Sequence, residues 1–281
     1  MKNAKLAFMG GGNLTRAIVS GLVQSGYPAD LIYVGDRNID KVEYFKSDLG
    51  VNASLNMEEM LSSGDILIIS IKPQGFIDGA SDYANIIRYK KPMIISVMAG
   101  VNINTIYNCF GSDLPIVRAM PNTASSVHAG ATGLFANERV SSQQKDIVEH
   151  IFRNLGVIAW VDKEEHINTV IAIASSSPAY FLYFIEIMQE VGLEMGLDKN
   201  TVQLLSLQSA YGAAKMGLQC GEGVSVLREK ITSKRGCTAA AIDYFKAENL
   251  SGIVKEAMLE AVKRGEELES MNYSRIAEDK K

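Results

Sequence analysis

Residues 5–22 read KLAFMGGGNLTRAIVSGL (Lys5–Leu22), and the interpretation of this stretch decides the fold. A short apolar run, Lys5–Met9, enters Gly10, Gly11 and Gly12, and apolar residues at helical spacing follow from Leu14 to Ser25. The glycines match the first two positions of G-x-G-x-x-(G/A), with the larger Thr15 in the third. In a dinucleotide-binding unit the first glycine makes the tight turn. The second, lacking a side chain, lets a pyrophosphate approach the backbone. A helix opening near Asn13 then presents unpaired N–H groups and a partial positive charge to the phosphates. Gly10, Gly12, Asn13 and Leu14 are therefore candidate cofactor-binding residues.

A second apolar run, Leu31–Gly35, ends at Asp36 and Arg37. An acidic residue there hydrogen-bonds ribose hydroxyls and favours NAD. An arginine pairs with a 2′-phosphate and favours NADP. Both stand side by side in this chain. The neutral donor Asn38 tips the reading toward NADP(H), with NAD(H) open and Asp36 available as an ordinary turn residue.

Outward from this motif the pattern continues. Strand candidates Asp65–Ile71, Pro92–Met98, Pro115–Met120, Thr132–Ala136 and Gly156–Val161 alternate with helical stretches that include Asp40–Asp48 and Ser141–Asn154. Runs such as ILIISI are apolar on both faces, as in a parallel sheet covered on each side. The expected fold is α/β, a doubly wound Rossmann-type sheet over residues 1–162. Residues 163–281 read as helix after helix, with turns near Gly196–Asn200 and Gln219–Ser225, and a polar, frayed tail from Ser274. Such helices are expected to bury part of their apolar surface against another subunit. Phe181, Tyr183 and Phe184 read as core.

Composition narrows the class. The 281 residues are 47% hydrophobic and 21% charged, with a formal charge of −4 and no basic block, which argues against a nucleic-acid partner. Three cysteines without a CxxC pair suit a reducing cytoplasm, and the scattered His128, His150 and His166 suggest no metal site. The opening MKNAKLAFMGGG enters strand and loop directly, so no signal peptide is expected. Val170–Met188 is interrupted by three serines and Pro178, and reads as a buried helical segment rather than a membrane span.

Further motifs occur in a specific order: SIKPQ (Ser70–Gln74), SVMAGV (Ser96–Val101), RAMPNTA (Arg118–Ala124), SSSPAYFLYFIEIM (Ser175–Met188), AAKMGL (Ala213–Leu218), GEG (Gly221–Gly223) and LREKITSKRGCTAAAI (Leu227–Ile242). Together they resemble the pyrroline-5-carboxylate reductase family, from Lys5 to about Glu267. The resemblance implies NAD(P)H-dependent reduction of 1-pyrroline-5-carboxylate to L-proline, the last step of proline biosynthesis. It also implies an all-helical C-terminal dimerisation domain, with dimers that assemble into larger rings. Carried over residue by residue, it places Gly10, Gly12, Asn13 and Leu14 at the phosphates and Arg37, beside Asp36, at the ribose. Asn56 falls by the adenosine, with Ser70, Lys72 and Pro73 after the fourth strand. Ala99 and Gly100 line the nicotinamide side, with Asn122 close by. The substrate loop maps to Ser233, Gly236, Cys237 and Thr238, with Glu222 nearby.

The chemistry of these residues fits that reaction. Reducing a cyclic imine needs a hydride on carbon and a proton on nitrogen, and the imine arrives largely protonated. The site must therefore supply orientation and a grip on the carboxylate. Backbone N–H groups of the glycine-containing loop SKRGCT suit an anion. Ser233 and the amides of Gly236–Thr238 are assigned to the carboxylate, and the Thr238 hydroxyl is the catalytic candidate that orients the ring nitrogen. The alternative is that Ser233 and Thr238 only cap the next helix.

The loop departs from the family pattern: Lys234 and Arg235 replace a proline and a glycine, and Cys237 stands where a small residue is usual. If the replaced glycine has positive φ, Arg235 strains the turn. Two readings therefore stay beside the first: a reductase of another cyclic imine, and an NADP-binding paralogue without turnover. A β-hydroxyacid dehydrogenase would need a lysine base on the interdomain helix, and His166–Leu197 contains none.

Overall fold

The computed structural model describes residues 4–111 and 113–278. The chain forms two compact units, one comprising residues up to Ser176 together with those from Ala261 onward, the other Ser177–Glu260.

The first unit is built on an eight-stranded sheet. Its strands are β1 (Leu6–Met9), β2 (Ile32–Gly35), β3 (Asn52–Ser54), β4 (Ile66–Ile69), β5 (Met93–Ser96), β6 (Ile116–Met120), β7 (Gly130–Ala136) and β8 (Gly156–Trp160). The order is β3-β2-β1-β4-β5-β6-β7-β8, with order reversal at β1. All neighbours are parallel except β6 and β7, which run antiparallel through the pairs Arg118–Phe135 and Ala119–Leu134. β3 is the strand that sequence reading missed, because NAS carries too little apolar pattern to signal one.

The sheet is covered by helices α1 (Asn13–Gln24), α2 (Ile39–Ser47), α3 (Met57–Ser63), α4 (Pro73–Gly79), α5 (Ala84–Lys90), α6 (Ile103–Phe110) and α7 (Ser142–Arg153). Strand periodicity explains the two cores. Ile66 and Ile68 of β4 join Leu6, Phe8 and Val34 on one face, while Leu67 and Ile69 join Met9, Ile94 and Phe76 on the other. After β8 the short helix α8 (His166–Val170) and a π-helical turn, Ile171–Ser175, lie against β6 and β7. Because α8 and the π turn pack on the sheet, the first compact unit runs on to Ser176.

The second unit is wholly helical: α9 (Ser177–Glu194), α10 (Lys199–Gln219), α11 (Val224–Lys230), α12 (Cys237–Ala247) and the first part of α13 (Leu250–Glu278). Asp198 caps α10, its carboxylate accepting from the Asn200 and Thr201 amides. Two expectations are corrected here. Val170–Met188 is buried within the chain only at its start, at Val170 and Ala172, and within α9 only Ile185 is buried. Phe181, Tyr183 and Phe184 are 69%, 65% and 43% exposed, so they are surface and not core. The helix is apolar on most faces, which periodicity alone reads as interior. Taken as one helix, His166–Glu194 is long and apolar enough to cross a membrane by length and composition.

The tail is corrected as well. α13 stays helical to Glu278, Ile276 is buried, and the Arg275 guanidinium donates to Gln74 Oε1 at 2.6 Å. Asp279–Lys281 lie outside the described residues.

Candidate functional site

The three glycines do three different things. Gly10 has φ +105°, and a Cβ there would lie 2.7 Å from Ile71 Cγ2 and 3.1 Å from the Ser70 carbonyl oxygen. Gly11 lies against the end of β2, where a Cβ would come within 2.8 Å of Phe45 and 3.3 Å of Asp36 Oδ2. Around Gly12 a Cβ would meet nothing within 4 Å. The first two glycines are required by the protein's own packing. The third leaves open space in front of α1 into which a phosphate fits.

α1 begins at this open glycine. Gly12 is its N-cap and has no side chain to satisfy the first-turn N–H groups. By contrast α2, α3, α6 and α7 carry side-chain caps from Asn38, Asn56, Asn102 and Ser141. The N-terminus of α1 thus has free N–H groups beside open space, and the residues present fit a dinucleotide.

Thr15, in the third motif position, is fully buried. Its hydroxyl donates to the Gly10 carbonyl at 2.7 Å and lies 2.7 Å from Ser70 Oγ, which itself reaches the Gly10 carbonyl at 3.0 Å. The larger residue is accommodated because it bonds to the turn. Ser70 is engaged in the same anchoring.

Asp36 is buried, and both its oxygens are engaged by neighbouring groups of the same unit. Oδ2 accepts from the Gly11 amide at 2.7 Å and from Lys41 Nζ at 3.2 Å, and Oδ1 accepts from the Asn38 amide at 2.9 Å. Burial pushes its pKa up, but the two amides and Lys41 outweigh that and hold it below the ordinary aspartate value. Arg37 next to it is exposed, and no carboxylate among the described residues pairs with it. Gly10, Asp36 and Arg37 line one pocket, with Met57, Gly79 and Tyr83.

Asn13, Leu14 and Asn122 line a second pocket with Pro121 and Thr123. Asn122 is a bridge: its Nδ2 donates to the Ala174 carbonyl of the π turn at 3.1 Å, and its Oδ1 accepts from the Ala131 amide at 3.3 Å. The Ser175 hydroxyl donates to the Pro121 carbonyl at 3.3 Å. Asn56, Ser70, Lys72, Pro73, Ala99 and Gly100 line neither pocket. Asn56 accepts from the Glu59 amide as the cap of α3, and Lys72 and Pro73 open α4. Gly100 has φ +70°, and its carbonyl accepts from Asn272 Nδ2 at 2.7 Å.

In the second unit Gly236 is the N-cap of α12, and no side chain caps that helix. Ser233, Cys237 and Thr238 are exposed, so capping does not occupy the serine or the threonine. A Cβ at Gly236 would come within 2.3 Å of Ser233 Oγ and 3.1 Å of the Ser233 carbonyl oxygen, so a larger residue there would have to turn the serine hydroxyl aside. Arg235 sits in the left-handed region at φ +61°. A residue with a Cβ is strained in that conformation. Glu222 is paired with Lys230, 2.6 Å from Oε1.

Sequence reading gave no role to Arg118, Lys41, Glu164, Glu269 or Asn272. One signal was available for Arg118: a charged residue inside the apolar run PIVRAM must find partners when that run is a buried strand.

The chain matches known proteins along nearly all of its length. Residues 164–268 match the family model described as pyrroline-5-carboxylate reductase dimerisation, and residues 5–100 match that of NADP oxidoreductase, coenzyme F420-dependent. The pyrroline-5-carboxylate reductase of Vibrio alginolyticus is 38% identical over 272 residues, covering 96% of this chain and 100% of that protein. The Escherichia coli K12 enzyme of the same name is 32% identical over 266 residues, covering 94% and 98%. Among solved structures, a pyrroline-5-carboxylate reductase from Coxiella burnetii superposes with a TM-score of 0.90 at 38% identity, covering 95% and 98% of the two chains. The Plasmodium falciparum pyrroline carboxylate reductase with NADP bound gives 0.83 at 26% identity, covering 96% and 99%.

Proposed function

The chain belongs to the pyrroline-5-carboxylate reductase family, and from that premise we propose how its residues divide the reaction. Its activity is the NAD(P)H-dependent reduction of the C=N bond of 1-pyrroline-5-carboxylate to proline. The bound nicotinamide supplies the hydride to the imine carbon. Everything else falls to the protein: holding the dinucleotide, gripping the substrate carboxylate and orienting the protonated ring nitrogen.

NADPH is the preferred reductant in this reading. The observation that carries it is the opposite treatment of two neighbours. Asp36 spends its carboxylate on Gly11, Asn38 and Lys41, whereas Arg37 stands exposed on the same pocket without an anionic partner among the described residues. An aspartate already engaged offers little repulsion to a 2′-phosphate, and an uncommitted guanidinium attracts one. Gly12, Asn13 and Leu14 receive the pyrophosphate at the uncapped start of α1. Asn56, Ser70, Lys72, Pro73, Ala99, Gly100 and Asn122 are assigned to the remainder of the cofactor.

On the substrate side, the uncapped start of α12 at Gly236, Cys237 and Thr238 offers N–H groups to the carboxylate, aided by Ser233. The Thr238 hydroxyl hydrogen-bonds the ring nitrogen, and Glu222 stands nearby. The working unit is a homodimer joined through the helical domain of residues 163–281 and extended into a ring. The exposed apolar side chains of α9 and α10 and the matched dimerisation region support this. A cytoplasmic location suits a chain with no disulfide among its described cysteines.

The test is oxidation of NADPH by the purified protein on addition of pyrroline-5-carboxylate, repeated with NADH. Rapid consumption of NADPH, slower with NADH, is expected. Binding of NADPH without imine-dependent consumption would shift the assignment to a binding role, and consumption only with a different ring size would shift it to another imine.

A further inference from the structure

Arg118 is the largest fully buried side chain in the described structure, 1% exposed in the middle of β6. Its Nη1 donates to Glu269 Oε1 of α13 at 2.7 Å and to Glu164 Oε1, just before α8, at 3.1 Å. Its Nε and Nη2 have no hydrogen-bond partner among the described residues. A buried cation satisfied on one nitrogen only is a poor stabiliser compared with an apolar residue of the same volume. Its partners show what it holds.

Both carboxylates lead to one loop. Glu164 Oε1 also accepts from the Ile103 amide at 2.7 Å, at the first residue of α6. Glu269 lies one helical turn before Asn272, whose Nδ2 donates to the Gly100 carbonyl at 2.7 Å. The same face of α13 closes on Gly100, where a Cβ would lie 2.8 Å from Leu268 Cβ. The segment 99–103 is thus gripped at its carbonyl end by α13 and at its amide end by Glu164. Arg118 is the cation that keeps the two carboxylates together. Without it they would repel each other and pull both grips away.

We propose that Arg118 is a positioning residue that fixes the Ala99–Ile103 loop through Glu164 and Glu269, and thereby the nicotinamide side of the site. The second clause rests on the assignment of Ala99 and Gly100 given above.

The experiment uses the full chain carrying Arg118→Lys or Asn272→Ala. Asn272→Ala cuts the Gly100 contact while leaving the buried ion cluster intact, so it remains informative if Arg118→Lys fails to fold. Amide hydrogen exchange is read along the whole chain, NADP+ affinity by fluorescence titration, and kcat and KM with the imine. Exchange over residues 99–103 is expected to rise by roughly ten-fold while the rest of the sheet keeps its protection. NADP+ affinity is expected to stay within about two-fold while kcat falls by up to roughly 100-fold, the scale of a small misplacement. Unchanged exchange at 99–103, or a uniform rise across the sheet, overturns the positioning role. Faster local exchange with unchanged kcat overturns the catalytic half of the proposal together with the nicotinamide-side assignment, and leaves the family reaction untouched.

Discussion

The Gly11 amide donates to Asp36 Oδ2 at 2.7 Å, so the glycine turn after β1 and the end of β2 are tied directly to one another. The tie leaves no room between them, and that gives neighbouring glycines opposite expected behaviour.

Gly11→Ala places a Cβ 2.8 Å from Phe45 and 3.3 Å from Asp36 Oδ2. It is expected to lower stability by about 1–3 kcal/mol, as overpacking does. Gly12→Ala meets nothing in the protein, and the native φ of −76° suits alanine. That variant is expected to keep its unfolding midpoint and lose NAD(P)H affinity. Urea unfolding beside a fluorescence titration separates the two.

Asp36 titrates below the ordinary aspartate value in the folded chain. A depressed folded pKa contributes stability that is complete above the unfolded value of about 3.9 and is lost as pH falls through the folded one. The stability gap between the native chain and Asp36→Asn is therefore expected to be constant above about pH 5 and to shrink in acid. Denaturant midpoints measured across that range give the curve. A gap that widens in acid would contradict the assigned direction.

Arg37→Ala removes the cation proposed for the 2′-phosphate. A charge-assisted contact contributes about 1.5–3 kcal/mol, so NADPH affinity is expected to fall by roughly 10- to 150-fold. NADH affinity should stay within about two-fold, since that cofactor has no 2′-phosphate to lose a contact. Equal losses would remove Arg37 from cofactor choice.

Thr238→Ala is expected to reduce kcat by roughly 10- to 100-fold through lost orientation of the imine. NADPH affinity should be unaffected. Steady-state kinetics with a separate cofactor titration decide it, and an unchanged kcat takes Thr238 out of the reaction.

Arg235 occupies a left-handed conformation at φ +61°. Arg235→Gly is expected to raise stability by about 1 kcal/mol, the scale of the Cβ penalty it removes. A lowered thermal midpoint would show that the arginine side chain contributes more than its backbone strain costs.

Much of this was legible in the sequence, and the exceptions have physical causes. β1, β4 and β5 declared themselves because strands buried on both faces carry unbroken apolar runs. The glycine turn was readable from the sequence, with Gly10 as the residue of the tight turn and Gly12 as the position left without a side chain. The need for glycine at position 11 was not, because it depends on Phe45 and Asp36 arriving from elsewhere in the chain. Thr15 looked too large for its position, since sequence alone does not show that its hydroxyl has the Gly10 carbonyl to bond. The Arg118 cluster joins residues 118, 164 and 269, and no local pattern links positions so far apart. α9 misled for the opposite reason: uniform hydrophobicity marks burial but does not say what does the burying.

That last feature reaches beyond the single chain. A subunit whose α9 and α10 leave Phe181, Leu204 and Leu218 between 68% and 80% exposed cannot be at its most stable alone in water. Folding and association become one equilibrium, governed by mass action. The thermal midpoint is then a property of protein concentration as much as of sequence, and dilution acts on this fold as a mild denaturant.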